Sequence, residues 1–108
     1  MSYSVKTIHV FERQAKKLIK KYKSLHGELS SLIVSLKTDP SQGTSLGNNC
    51  YKIRLSVVSK GKGKSGGARV ITYVVVNETI VYLLSIYDKS QKDTISDSEL
   101  SELLKFIP

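Results

Sequence analysis

Six of the 17 basic residues of this 108-residue chain fall in the run KIRLSVVSKGKGKSGGAR: Lys52, Arg54, Lys60, Lys62, Lys64 and Arg69. No Asp or Glu stands between Asp39 and Glu78 to neutralise them. Positive charge without neighbouring carboxylates works against stability and suits a surface that meets phosphates. Arginine donates paired hydrogen bonds to phosphate oxygens and stabilises a pentacovalent phosphate. Lysine transfers protons where burial or nearby cations lower its pKa, and packed cations push one another that way. The chain offers no histidine pair or glutamate–histidine pair of the kind usual in acid–base RNA cleavage. The residue types therefore permit phosphodiester cleavage without demanding it, and polyanion binding alone remains open.

The loop GKGKSGG is not a nucleotide-hydrolysing phosphate loop. That motif needs a glycine where Val58 stands, and it must open a helix, whereas a strand follows here. Its charge and glycine amides still suit phosphate. Cys50, which opens a strand, reads as a small apolar filler. As the lone cysteine it has no internal disulfide partner. His9 and His26 have no metal-ligating partner at useful spacing, so no metal and no cofactor are expected.

The elements that position the basic residues follow from periodicity. Residues 4–10 read as a first strand. Phe11, Ala15, Leu18, Ile19 and Tyr22 make one face of a helix whose other face is Lys16, Lys17, Lys20, Lys21 and Lys23. Leu25, Leu29, Leu32, Ile33 and Leu36 give a second helix, paired with the first as a hairpin and ended by Asp39-Pro40. Residues 41–49 read as a polar loop. The period then changes to two: Tyr51, Ile53, Leu55 and Val57 alternate with Lys52, Arg54, Ser56 and Val58, so Lys52 and Arg54 share the face opposite the apolar set. Residues 59–68 form a connection. Residues 69–76 and 80–86 are strands rich in Val, Ile and Tyr, joined by a tight turn at Asn77-Glu78. Ser96-Asp97-Ser98-Glu99 is a capping box ahead of an amphipathic helix carrying Leu100, Leu103, Leu104 and Ile107. The predicted fold class is α+β: a small antiparallel sheet, an N-terminal helical hairpin packed on it, and a C-terminal helix.

One domain over residues 1–108 is expected at this length. Net charge is +8 and the pI about 9.6, which favours polyanions. The charge is uneven: residues 1–75 carry 14 basic against three acidic residues, and residues 76–108 carry three against six. A solvated acidic helix accounts for the second part. No stretch has the length of a membrane span or the apolar core of a signal peptide, so a cytoplasmic protein without membrane contact is expected.

The stretch from Cys50 to Leu84 resembles the RelE superfamily of bacterial toxins, closest to its HigB-type branch. The matching text is CYKIRL, then SKGKGKSGGARVI, then the strand YLLSIYDK. The helical hairpin, the short last strand and the terminal helix agree in order, so the resemblance covers nearly the whole chain. It implies a small α+β toxin of a type II toxin–antitoxin pair that enters the ribosomal A site and cuts mRNA there. The 2′-hydroxyl attacks the adjacent phosphate and leaves a 2′,3′-cyclic phosphate, with no metal required. Carried over by position, Lys52 and Arg54 are the basic pair of the second strand, with Lys52 helping to activate the 2′-hydroxyl. Arg69 stabilises the transition state and Lys89 is the candidate proton donor. Lys60, Lys62 and Lys64 hold the RNA backbone, and Tyr87 stacks on a base. Some members place a tyrosine further on; this chain has none after Tyr87. Lysine at position 89, where an arginine fork is not available, also departs from the stronger form of the pattern. The implied partners are a cognate antitoxin, the ribosome and mRNA. Two alternatives stand beside this reading: a toxin of the same fold that binds DNA gyrase, and an inactive RNA-binding remnant.

Overall fold

The computed structural model describes residues 2–61, 66–92 and 94–108. Among them the chain runs β1 (Ser4–Thr7), α1 (His9–Lys21), α2 (Leu25–Leu36), β2 (Thr44–Gly47), β3 (Cys50–Leu55), β4 (Ala68–Val75), β5 (Ile80–Asp88) and α3 (Asp97–Leu104). The strands form one sheet in the order β1-β5-β4-β3-β2. The α+β class, the helical hairpin and the C-terminal helix are as expected. Two parts of the expectation need correction. The sheet is mixed, because β1 pairs with β5 in parallel while the other neighbours are antiparallel. It also has an additional strand, β2, inside the stretch read as a polar loop.

Strand β2 is a four-residue polar edge (Thr44-Ser45-Leu46-Gly47) held to β3 by backbone pairing. Asn48 and Asn49 both take positive φ, 52° and 62°, which suits the right-handed twist of a two-residue hairpin. At the other end, β1 stops at Thr7. Ile8 caps α1, so the helix begins at His9, within the stretch assigned to the first strand. Between β4 and β5 the turn is longer than two residues: a 3-10 turn spans Val76–Glu78, and Thr79 follows in the left-handed region.

Cross-strand partners share a face of the sheet. On one face lie Ile53, Val70 and Ile86 with Val74 and Val81, all buried. The helical hairpin covers this face with Phe11, Ala15, Leu25, Leu29, Leu32 and Leu36, the residues that the helical spacing assigned to the interior. Burying that set is the main drive for the hairpin to pack. The opposite face carries Lys52, Arg54, Arg69, Ile71, Ser85 and Tyr87. Helix α3 lies beside the edge of β5, where Ile95, Leu103 and Phe106 share a cavity of about 350 Å³ with Gln14 and Ser85. It starts at the capping box foreseen at Ser96 and Glu99. Among the described residues no helix is long and apolar enough to cross a membrane.

Candidate active site

The register places the basic residues. Arg54 on β3 is the direct partner of Arg69 on β4, and Arg69 is the direct partner of Tyr87 on β5. The three form a row across the sheet, with Cβ atoms of neighbours about 5 Å apart. Lys52 lies one row along, opposite Ile71. At the other end, the Lys89 amide donates to the Gly67 carbonyl at 3.1 Å, just past Asp88. Lys52, Arg54, Arg69 and Tyr87 are thus brought to one face, and Lys89 opens the turn that follows β5 at the end of this row.

Their exposures differ. Arg54 is exposed, Lys52 and Lys89 are half-buried, and Arg69 is only 1% exposed. One Arg69 Nη1 hydrogen donates to the Ala68 carbonyl at 3.2 Å. A like-charged pair directly across two strands destabilises a sheet unless something else is gained. The arrangement sets two guanidinium groups on adjacent strands, Arg69 buried and Arg54 exposed.

Lys60 lies elsewhere. It pairs with Asp88, whose side chain points to the hairpin face, and its ammonium also donates to the Gly67 carbonyl at 3.2 Å. The Lys60 side chain is 7% exposed, which takes it out of the open basic surface expected of it. The preceding residues are anchored to α2: Glu28 accepts from the Val58 amide at 2.8 Å, and Ser24 Oγ from the Ser59 amide at 3.0 Å. Asp88 also accepts from the Tyr22 hydroxyl at 2.7 Å and from the amide and hydroxyl of Ser90 at 3.0 and 2.8 Å. Burial alone raises the Asp88 pKa, but the hydrogen bonds from Lys60, Tyr22 and Ser90 outweigh it and hold the carboxyl well below the usual range. Lys62 and Lys64 lie outside the described residues.

Tyr87 is nearly buried, and the Lys92 ammonium sits 4.8 Å from its ring centre. Lys92 also donates to Glu99 at 2.6 Å, within the capping box of α3. That bond, with the Ser96 amide, lowers the Glu99 pKa. Sequence reasoning missed Lys92; the signal available was a lone cation in the polar stretch after β5. It also missed Gln14, whose Oε1 accepts from the Ile86 amide and the Ser85 hydroxyl, each at 3.0 Å. β1 pairs with β5 only as far as Leu83, and Gln14 takes over where that strand ends.

Cys50 is fully buried, and desolvation pushes its thiol up to about 11, as suits a filler rather than a nucleophile. Among the described residues no group of three or more His, Cys, Asp and Glu side chains could hold a metal ion.

Comparison with known proteins agrees with this fold. A family model described as "RelE toxin of RelE / RelB toxin-antitoxin system" matches residues 6–107. Two solved structures of an arginine-to-alanine double mutant of the E. coli toxin RelE share the fold, each at 21% identity with both chains fully covered. The free form superposes with a TM-score of 0.63, and the form in complex with a peptide of the antitoxin RelB with 0.58.

Proposed function

The chain belongs to the RelE toxin family, and from that premise we propose that it is a ribosome-dependent endoribonuclease, of the HigB type, that cuts mRNA in the ribosomal A site. We read residues 1–108 as one toxin domain that acts in the cytoplasm and is held in check by a cognate antitoxin. The observation that carries the reading is the row Arg54–Arg69–Tyr87, with Lys52 on the same face and Lys89 in the turn that follows β5.

In this mechanism Lys52 takes the proton from a ribose 2′-hydroxyl. The oxygen attacks the adjacent phosphorus in line, and the bond from phosphorus to the 5′-oxygen breaks. Arg69 and Arg54 donate to the non-bridging oxygens, where negative charge grows in the transition state. Lys89 gives a proton to the departing 5′-oxygen, leaving a 2′,3′-cyclic phosphate and a 5′-hydroxyl. No metal takes part. The ribosome positions the message, and orientation of that kind is worth several kcal/mol, so a set of lysines suffices as acid and base. Lys62 and Lys64 hold the RNA backbone. Lys60 belongs to the support instead: with Asp88 it fixes the end of β5 from which Tyr87 and Lys89 extend. Stacking of Tyr87 on a base requires Lys92 to leave the ring. An antitoxin segment bearing carboxylates complements the basic face.

The test is to map the 5′ ends of a reporter mRNA by primer extension after brief expression, with and without its start codon. New ends inside codons, only in the translated message, support the reading. Growth arrest with intact message moves the target to a protein such as gyrase.

A further inference from the structure

Helix α1 carries a second basic surface that the active-site reading does not use. Arg13, Lys16, Lys17 and Lys20 follow one another at steps of three, one and three, so they share one side of the helix. All four are exposed, and with Val10 and Gln14 they line an open groove of about 390 Å³. Among the described residues no carboxylate pairs with any of them. The one acid on α1, Glu12, accepts a hydrogen bond from Thr7. Like charges three and four residues apart repel and weaken the helix that carries them. The four cations span about 10 Å of helix axis, and α1 packs on the side of the sheet away from Arg54 and Arg69.

We propose that this stripe is a second polyanion site that grips the sugar–phosphate backbone of double-helical RNA. The choice of RNA rests on the function proposed above; the choice of a duplex rests on the groove. No aromatic ring lines it, and single strands are held chiefly by stacking bases on such rings. A protein partner is disfavoured because the large apolar side chains that stand exposed, Val34, Val58, Val76 and Phe106, all lie off α1, and protein interfaces centre on apolar anchors. What remains is a row of cations that recognises shape and charge.

The experiment is fluorescence anisotropy of a labelled RNA duplex titrated with the full chain over a series of salt concentrations. A variant with Arg13→Gln, Lys16→Gln, Lys17→Gln and Lys20→Gln keeps good helix formers at every site. It should bind at least tenfold more weakly at moderate salt, with a log–log salt slope shallower by about three to four. A control with Lys6→Gln and Lys37→Gln, exposed positions outside the groove, should shift the slope far less. A thermal melt of the quadruple variant no lower than that of the parent excludes unfolding as the cause. Equal affinity and slope in parent and quadruple variant overturn the proposal. So does tighter binding of the parent to polyglutamate than to the duplex, which makes the stripe a site for an acidic protein. Cleavage of the translated reporter is read separately: a chain that grips duplex through α1 and cuts nothing keeps this inference and removes the nuclease reading.

Discussion

Lys60 and Asp88 form an ion pair that solvent barely reaches, with side chains 7% and 3% exposed, and it ties the connection after β3 to the last residue of β5. Breaking a buried pair by removing one partner leaves an uncompensated charge and costs about 3–5 kcal/mol, whereas replacing both with apolar groups is often close to neutral. Asp88→Asn should therefore lose stability of that order in urea unfolding, and Lys60→Met with Asp88→Leu should lose clearly less. The pH dependence has a fixed sign. The folded carboxyl titrates below its unfolded value of about 3.9, so below that value the unfolded chain binds more protons. The pair's contribution is fully present above about pH 5 and is lost as pH falls through 4 toward the depressed folded pKa. The Asp88→Asn variant should show a flatter stability curve over that acid range; an unchanged slope would assign the acid sensitivity to other carboxylates.

Gln14 closes the edge of β5 that β1 leaves open, accepting from the Ile86 amide and the Ser85 hydroxyl. Gln14→Leu removes the acceptor from groups at a partly buried edge, which costs about 1–3 kcal/mol. Hydrogen exchange is the sharper readout. The Ile86 amide should exchange much faster in the variant, while amides paired between β4 and β3 change only with global stability. Equal protection at Ile86 would mean that another group serves this edge.

Two glycines should respond in opposite directions to alanine. A Cβ at Gly67 would lie 2.1 Å from the Leu55 carbonyl oxygen and 3.1 Å from the Val57 amide, so β3 and β4 would have to part. The Gly67 carbonyl also receives Lys60 Nζ and the Lys89 amide, so the disturbance reaches the basic face. Gly67→Ala should cost about 3 kcal/mol, the upper part of the range for overpacking. Gly27 lies inside α2 with nothing within 4 Å of an added Cβ. Gly27→Ala should stabilise by about 0.5–1 kcal/mol through backbone entropy and helix propensity. Urea midpoints of the two variants on opposite sides of the parent are the expected result.

Strong periodicity was the part of the fold legible in advance. The leucines of α2 and the alternation from Tyr51 to Leu55 announce a helix and a half-buried strand because burial imposes those periods; the strand stops at Leu55, short of the Val58 to which the alternation was read, and a 3-10 turn spans Val58–Lys60. The two departures lie where that signal is absent. β2 buries only part of one side chain, Leu46, and is held chiefly by its backbone, so its polar text resembles a loop; the consecutive asparagines before Cys50 were its trace. β1 is four residues long, and nothing in Ser4–Thr7 encodes that its partners lie 76 positions on or that the two strands run parallel. At the candidate site, alternation put Lys52 and Arg54 on one face correctly. It could not say that Lys60 turns inward, because its partner Asp88 lies 28 residues on, and contacts over such separations leave no local pattern. Lys92 reaches Tyr87 only five residues back, but across a turn whose path has no repeating pattern to read.

Arg69 is the residue on which the proposed chemistry depends most, and Arg69→Lys separates its charge from its geometry. The side chain is 1% exposed and lies in the row between Arg54 and Tyr87. Lysine keeps the positive charge and much of the aliphatic stem, but it presents a point charge where the guanidinium presents a planar fork. If Arg69 stabilises the transition state, losing the fork should lower cleavage of a translated message about 10²–10³-fold, the range seen when one preorganised donor is removed. The cost to stability should be about 1–2 kcal/mol, since the change is semi-conservative in a packed site. The two quantities come from quantitative primer extension on the translated reporter and from a thermal melt of the same preparation. Cleavage lost 10²-fold or more while the melt falls only by the few degrees that about 1–2 kcal/mol accounts for places Arg69 at the reacting phosphate. Cleavage that falls only in step with stability makes Arg69 a packing residue, and Arg54 would then be the sole forked donor on this face left to carry the reaction.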